Sequence, residues 1–116
     1  MRYLIGVVCI VLAFGTLAAE YKVAQKGKTF SRTYLKINVG DSVNFVNEDK
    51  IFHNVFSLSD TKSFDLGSYP KGEGRKVTFD KPGAVFVECA IHPFMKMKID
   101  VEEQKKRPKP NDGVTQ

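Results

Sequence analysis

Apolar and polar residues alternate along most of the chain, and this alternation predicts β-strands. Apolar residues occupy every second position in the segments 35–39, 43–45, 77–79, 85–89 and 97–101. Turn-forming residues separate the segments, as at Gly40-Asp41 and Lys81-Pro82-Gly83. Residues 20–101 contain no convincing helical period. Period two with glycine and proline between the strands is typical of an antiparallel β-sandwich or barrel.

The alternation weakens between Phe56 and Lys76, where serine, glycine, proline and aspartate are frequent. We expect loops there, with one edge strand at Ser63–Leu66. After Val101 the apolar residues nearly stop and the chain becomes basic. Residues 102–116 are therefore predicted to be a disordered basic tail, which either keeps the protein soluble or steers an acidic partner.

Residues 1–19 have the pattern of a secretory signal peptide. Arg2 supplies the positive end, residues 4–14 form an apolar run, and Leu17-Ala18-Ala19 offers a cleavage site after Ala18 or Ala19. The run is short for a membrane span, which needs about 20 apolar residues. We expect export to the periplasm without stable membrane insertion.

Composition limits the remaining possibilities. The chain has 116 residues, and removal of residues 1–19 leaves 97, which is enough for one domain over residues 20–101. An apolar fraction of 42% with 27% charged residues is that of a globular protein. The net charge of +5 is spread along the chain rather than gathered in a stripe, so we expect no nucleic-acid partner.

The residues that could carry chemistry are few and close together. Without residues 1–19 the chain has a single cysteine, Cys89, two histidines, His53 and His92, and two methionines, Met95 and Met97. A thiolate, two imidazoles and a thioether are the ligands of a copper ion that cycles between Cu(I) and Cu(II).

The spacing is compatible with one site. Cys89 ends a predicted strand and the next strand begins near Met95, so the tight connection between them can bring His92 over the same point. His53 follows another predicted strand, and loops at one end of a sandwich can meet.

The segment Phe45-Val46-Asn47-Glu48-Asp49, then His53-Asn54-Val55, then Cys89-x-x-His92-x-x-Met95, resembles the blue-copper cupredoxins. It is most similar to their amicyanin/plastocyanin-like group, and Cys-x-x-His-Pro-Phe-Met is similar to the short ligand loop of amicyanin. The resemblance covers roughly residues 21–101. It implies an all-β, two-sheet Greek-key sandwich in a single domain, one type-1 copper ion and electron transfer.

The resemblance also implies roles for particular residues. His53, Cys89 and His92 match the three equatorial copper ligands, and Met95 matches the axial ligand of the short-loop members. Asn54 matches the residue whose amide and side chain brace the ligand loops.

Two positions depart from the family pattern. Met97 lies where longer-loop members have their axial methionine, although its alternation with Ile99 and Val101 indicates a core residue. Ile91 stands where many members have proline, and with Pro93 and Phe94 it surrounds His92, so these residues form either an apolar docking face or packing within the loop.

We therefore expect a monomeric periplasmic carrier of single electrons between redox proteins, such as a c-type cytochrome or a periplasmic dehydrogenase. The alternative is a copper-binding or delivery protein without a redox role. We expect no enzymatic activity, because a small sandwich has little room for a cleft and the alternation points Glu88, the nearest acidic residue, away from Cys89.

Overall fold

The alternating segments form β-strands in a computed structural model of the protein, which describes Gly6 and residues 17–103. Between Glu20 and Glu102 the chain contains nine strands. They are β1 Glu20–Lys26, β2 Thr29–Phe30, β3 Tyr34–Asn38, β4 Ser42–Asn47, β5 His53–Ser59, β6 Lys62–Tyr69, β7 Gly74–Thr78, β8 Gly83–Cys89 and β9 Lys96–Glu102.

The strands make two sheets that pack face to face. One sheet has the order β2-β1-β4-β7, and the other has the order β3-β9-β8-β5-β6. The hairpins β1–β2, β5–β6 and β8–β9 stay within a sheet, whereas the other connections pass from one sheet to the other. The structure therefore has the two-sheet sandwich that the sequence predicts.

Two strand pairs are parallel, which differs from the antiparallel sandwich or barrel that the alternation indicates. β1 runs parallel to β4, and β3 runs parallel to β9. Each parallel pair joins strands that are separated by a passage through the opposite sheet, as parallel pairing requires a long connection. Alternation shows which face of a strand is buried, and it does not show the direction of the neighbouring strand.

The core fills the space between the sheets. Its members include the fully buried side chains of Val23, Phe45, Val55, Val85 and Ile99. Met97 belongs to the same core, with 3% of its surface exposed and Val87 as its partner in the β8–β9 register. This agrees with its interpretation as a core residue.

The loop-rich interpretation of residues 57–76 needs correction. β5 continues to Ser59, and the predicted edge strand at Ser63–Leu66 is the centre of the longer β6. β6 lies at the edge of its sheet and pairs only with β5 in the described structure, so Phe64 and Leu66 are half-buried while Ser63 and Asp65 are exposed. An edge strand with one solvent-exposed face carries few apolar residues, so the period-two signal in its sequence is weak.

The two ends of the chain are only partly described. Residues 1–5 and 7–16 of the predicted signal peptide, and residues 104–116 of the predicted tail, lie outside the described residues. β9 includes Glu102, one residue beyond the predicted end of the domain. Among the described residues there is no helix of the length and apolarity needed to cross a membrane.

Candidate metal centre

The predicted ligands come together at one end of the sandwich. His53 is the first residue of β5, rather than part of the preceding connection as the sequence suggested, and Cys89 is the last residue of β8. These neighbouring strands pair with Val55 opposite Cys89. Because side chains alternate along each strand, the inward face that carries Val55 also carries His53, and the register places its imidazole beside the thiol of Cys89.

The three donor atoms form a compact cluster. The sulfur of Cys89 lies 3.7 Å from Nδ1 of His53 and 3.9 Å from Nδ1 of His92. One ligand atom from each residue lies within 4.8 Å of the other two. His53 and Cys89 are buried and His92 is partly buried.

These separations fit a single ion at the centre of a trigonal site. Bonds of about 2.0 Å to imidazole nitrogen and about 2.3 Å to thiolate sulfur are known for zinc with the same ligands. At trigonal angles such bonds place nitrogen and sulfur about 3.7 Å apart. Both observed distances agree with that value, so the buried cluster needs little rearrangement to bind a metal.

The loop between β8 and β9 is closed by its own backbone. The N–H of Met95 donates to the carbonyl of His92 at 2.9 Å, and the N–H of Cys89 donates to the carbonyl of Met95 at 3.3 Å. The loop is therefore a tight turn, and the side chain of Met95 is 1% exposed at the end of the core. A fourth, thioether ligand from Met95 suits a site whose other donors are His53, Cys89 and His92.

Asn54 joins the two ligand-bearing segments through its backbone. Its carbonyl accepts a hydrogen bond of 3.2 Å from the N–H of Ala90, the residue after Cys89. Its side-chain oxygen is buried and has no hydrogen-bond partner among residues 17–103. This main-chain hydrogen bond joins the two segments, and the bracing role predicted for the amide and side chain of Asn54 stays a prediction.

Asn47 organises the loop between β4 and β5, a role that the sequence analysis missed. Its fully buried side chain donates to the carbonyls of Ile51 at 2.9 Å and Tyr69 at 2.8 Å. Its Oδ1 accepts the N–H of Asp49 at 2.8 Å. Three bonds from one amide fix the path of the chain into His53.

Asp49 is the second residue that the sequence analysis missed. Its Oδ2 lies 2.6 Å from Nε2 of His53, and its carboxylate also accepts the backbone N–H groups of Gly27 and Lys28. Burial raises the pKa of Asp49, but the hydrogen bonds from Lys28, His53 and Gly27 outweigh it and hold that pKa below the usual value. The only sequence signal was an acidic residue four positions before a candidate ligand.

The arrangement does not suit nucleophilic catalysis. Cys89 is 1% exposed, so a substrate cannot approach its sulfur. Glu88 faces away from the cluster and pairs with Lys96 at 3.6 Å. A cysteine nucleophile needs an open cleft and a base that faces the substrate.

Comparison with known proteins also indicates a copper site. The chain is 29% identical over 109 residues to the methylamine utilization protein MauL of Methylorubrum extorquens, covering 87% of this chain and 96% of that protein. Its structure superimposes on a reduced point mutant of amicyanin with a TM-score of 0.67 and 26% identity, over 72% of this chain and 82% of amicyanin.

The structure also matches part of a larger protein. It superimposes on the copper-containing nitrite reductase NirK of Thermus scotoductus with a TM-score of 0.69 and 32% identity, over 74% of this chain. The chain spans only 23% of that enzyme. The likeness therefore concerns about a quarter of the reductase.

A family model described as copper binding proteins, plastocyanin/azurin family, matches residues 17–102. The matched range contains all nine strands together with His53, Cys89, His92 and Met95. Since the match spans most of the chain and every ligand, the chain belongs to the plastocyanin/azurin family of copper binding proteins.

Proposed function

We propose that this protein carries single electrons between redox proteins in the periplasm. The observation that supports the proposal best is the cluster of His53, Cys89 and His92, in which the sulfur of Cys89 lies at trigonal separations from both imidazole nitrogens. The copper site of the chain consists of these three residues and Met95, which gives the type-1 ligand set. As predicted, the family is one of copper binding proteins rather than enzymes.

The protein surrounds the ligands with a stiff frame. His53 and Cys89 belong to paired strands, and two backbone hydrogen bonds close the loop that carries His92. Bound copper supplies one-electron exchange between Cu(I) and Cu(II). Ligands that stay in place in both oxidation states reduce the rearrangement that accompanies each transfer, which favours a carrier.

His92 is the ligand that reaches the surface. Two apolar side chains flank it in the same loop: Ile91 is 52% exposed, and Phe94 is 66% exposed with its ring 5.8 Å from that of His92. Ile51 and Phe52, in the loop that leads to His53, are 40% and 55% exposed. We call Ile51, Phe52, Ile91 and Phe94 the loop patch. An exposed apolar patch around a ligand supports docking of a partner at the point where electrons leave.

Lysines lie next to the loop patch. A groove of about 530 Å³ is lined by Lys26, Lys28, Lys50 and Lys71, together with Ile51 of the patch and the acidic pair Glu48 and Asp49. We call these four residues the groove lysines. In the described part of the chain none of the four forms an ion pair. Four lysines against two acidic residues leave an excess of positive charge beside the apolar patch, which supports a partner with an acidic rim.

Two classes of redox partner are compatible with this surface. A periplasmic dehydrogenase is supported by the similarity to MauL, which is named for methylamine utilization. A c-type cytochrome with an acidic rim fits the same surface.

The test compares the copper-loaded protein with two variants. Phe94→Ala removes the most exposed side chain of the loop patch, at 66%, and Phe86→Ala removes a ring that is 56% exposed in the middle of β8 as a control. We expect Phe94→Ala to slow electron exchange with a c-type cytochrome about tenfold, as the loss of about 1.4 kcal/mol of docking energy does. The rate of electron exchange of Phe86→Ala with the cytochrome should equal that of the wild type. The rate of exchange with a small inorganic oxidant should be unchanged in both variants.

A copper-delivery protein gives a different result. In that case copper passes readily to a chelator or a second copper-binding protein, and reduction by the cytochrome is slow in every form. Such an outcome would replace the carrier by the alternative function.

A further inference from the structure

The two nitrogens of the His53 ring face different partners. Nδ1 lies 3.7 Å from the sulfur of Cys89, on the side of the metal cluster. Nε2 lies 2.6 Å from Oδ2 of Asp49. His53 is fully buried and the side chain of Asp49 is 12% exposed, so little water competes for this contact.

The other contacts of Asp49 require an acceptor at both carboxylate oxygens. Oδ1 accepts the N–H of Gly27 at 2.6 Å, and Oδ2 accepts the N–H of Lys28 at 3.0 Å. Gly27 and Lys28 have φ angles of 62° and 57°, which is the left-handed region that a non-glycine residue such as Lys28 seldom adopts. Two successive left-handed residues aim both N–H groups at one carboxylate.

The main chain of Asp49 also helps to fix the position of its carboxylate. The N–H of Asp49 donates to Oδ1 of Asn47, whose side chain is fully buried. The residue is thus held by its main chain and by its side chain. Its contact with His53 is therefore supported by hydrogen bonds from two separate segments of the chain.

An ionised carboxylate only accepts hydrogen bonds, so His53 must donate from Nε2. In the neutral ring Nδ1 then carries the free lone pair, which is directed at the cluster. We propose that Asp49 is a positioning residue that holds His53 in the metal-binding tautomer before copper arrives and, through its charge, favours Cu(II) over Cu(I). A carboxylate bonded to a ligand imidazole makes the ring a stronger donor, and a stronger donor stabilises the more highly charged ion.

This inference rests on the copper site and not on the carrier role. It concerns the balance between two oxidation states, whichever protein exchanges the electron. The measurements below therefore use no redox partner.

The test compares Asp49→Asn with Glu48→Gln. Asp49→Asn keeps the size of the side chain but replaces one acceptor by a donor and removes the charge. Glu48→Gln removes the same charge from the adjacent position, where the exposed carboxylate bonds Lys22 at 2.7 Å and does not touch His53. The reduction potential of each copper-loaded protein is measured by spectroelectrochemistry.

We expect Asp49→Asn to shift the ratio of Cu(II) to Cu(I) affinity at least tenfold towards Cu(I), which corresponds to a rise of 59 mV for one electron. Glu48→Gln should change the ratio less than threefold. Equal shifts of the reduction potential in Asp49→Asn and Glu48→Gln would mean that Asp49 acts only as a distant charge. That result would overturn the proposal.

A second measurement needs no variant and therefore does not depend on folding of a mutant. Nitrogen-15 NMR of the copper-free wild-type protein identifies which nitrogen of His53 carries the proton. The proposal requires the proton on Nε2, in a strong hydrogen bond, at a pH where the ring is neutral. A proton on Nδ1 would overturn it. Slow exchange with every redox protein, together with these two expected results, would count against the carrier role alone.

Discussion

The side chain of Asn47 provides the clearest energetic test of how the ligand loop is held. Its amide is fully buried and makes three hydrogen bonds, to the N–H of Asp49 and to the carbonyls of Ile51 and Tyr69. Asn47→Ala leaves those three groups without their partner. The loop between β4 and β5 then loses the contacts that define its path into His53.

The magnitude follows from the number of bonds. Each buried hydrogen bond contributes about 1 kcal/mol to stability, so the loss of three should cost about 3 kcal/mol. For a domain of this size that corresponds to a fall in Tm of roughly 12–24 °C. Because this loop contains Asp49 and leads into His53, the affinity for Cu(II) should fall as well.

Urea unfolding of the copper-free protein measures the effect, with an unchanged dependence on denaturant as a check that both forms unfold in the same way. Asn38→Ala is the matched control, because Asn38 lies in β3 with an exposed side chain and should change the stability by less than about 0.5 kcal/mol. A loss below about 1 kcal/mol in Asn47→Ala would refute the reasoning, since the bonds would then contribute little to the loop.

Three further predictions concern other parts of the molecule. Reversal of charge in the groove, as in Lys71→Glu, should slow reduction of hexacyanoferrate(III) by the Cu(I) protein about two- to tenfold at low ionic strength, whereas Lys81→Glu outside the groove should have a smaller effect. Equal effects of Lys71→Glu and Lys81→Glu on the rate would argue against an attraction that is localised at the groove. Burial raises the pKa of Tyr69, so its stabilising contribution is complete below the ordinary tyrosine pKa of about 10 and is lost as the pH rises above it. Unfolding of wild type and Tyr69→Phe between about pH 8 and about pH 11 should therefore show a steeper loss in the wild type, and parallel curves would contradict the assignment. The backbone of Ala19 donates its N–H to Asp41 at 2.8 Å, and its carbonyl accepts the N–H of Ser42 at 2.9 Å. A chain that begins at Ala19 should therefore be more stable to unfolding, by about 1–2 kcal/mol, than one that begins at Glu20. Equal unfolding midpoints of the two chains would show that these contacts contribute nothing.

The ligands were accessible from the sequence because their signals are local. Cys89, His92 and Met95 occur within seven residues, and the alternation of β8 shows that Cys89 points inward. His53 could be added because the chain beyond residue 19 has only one other histidine.

The surroundings of the ligands depend on contacts between distant segments. Asp49 reaches His53 only because Asn47 bends the loop and because the turn at Gly27 and Lys28 approaches from β1. The spacing of residues along the sequence does not show that these distant segments come together in the fold. The same limitation explains why the parallel pairing of β1 with β4 was missed, since both directions bury the same faces.

The edge strand β6 was underestimated for a different reason. Its exposed face is polar, and Gly67 and Ser68 interrupt the alternation before Tyr69 is buried again. Its pairing with β5, which shifts register between Asn54 and Phe56, is set by the sheet rather than by local propensity.

The central claim, a preformed type-1 copper site, is tested most directly by the visible absorption spectrum of residues 20–116 after addition of one equivalent of Cu(II). We predict an intense blue band from the thiolate of Cys89 to copper, which reductant bleaches and oxidant restores, and which is absent in Cys89→Ala. Stoichiometric copper binding without that band, or no binding at all, would contradict the assignment of Cys89 to the copper site.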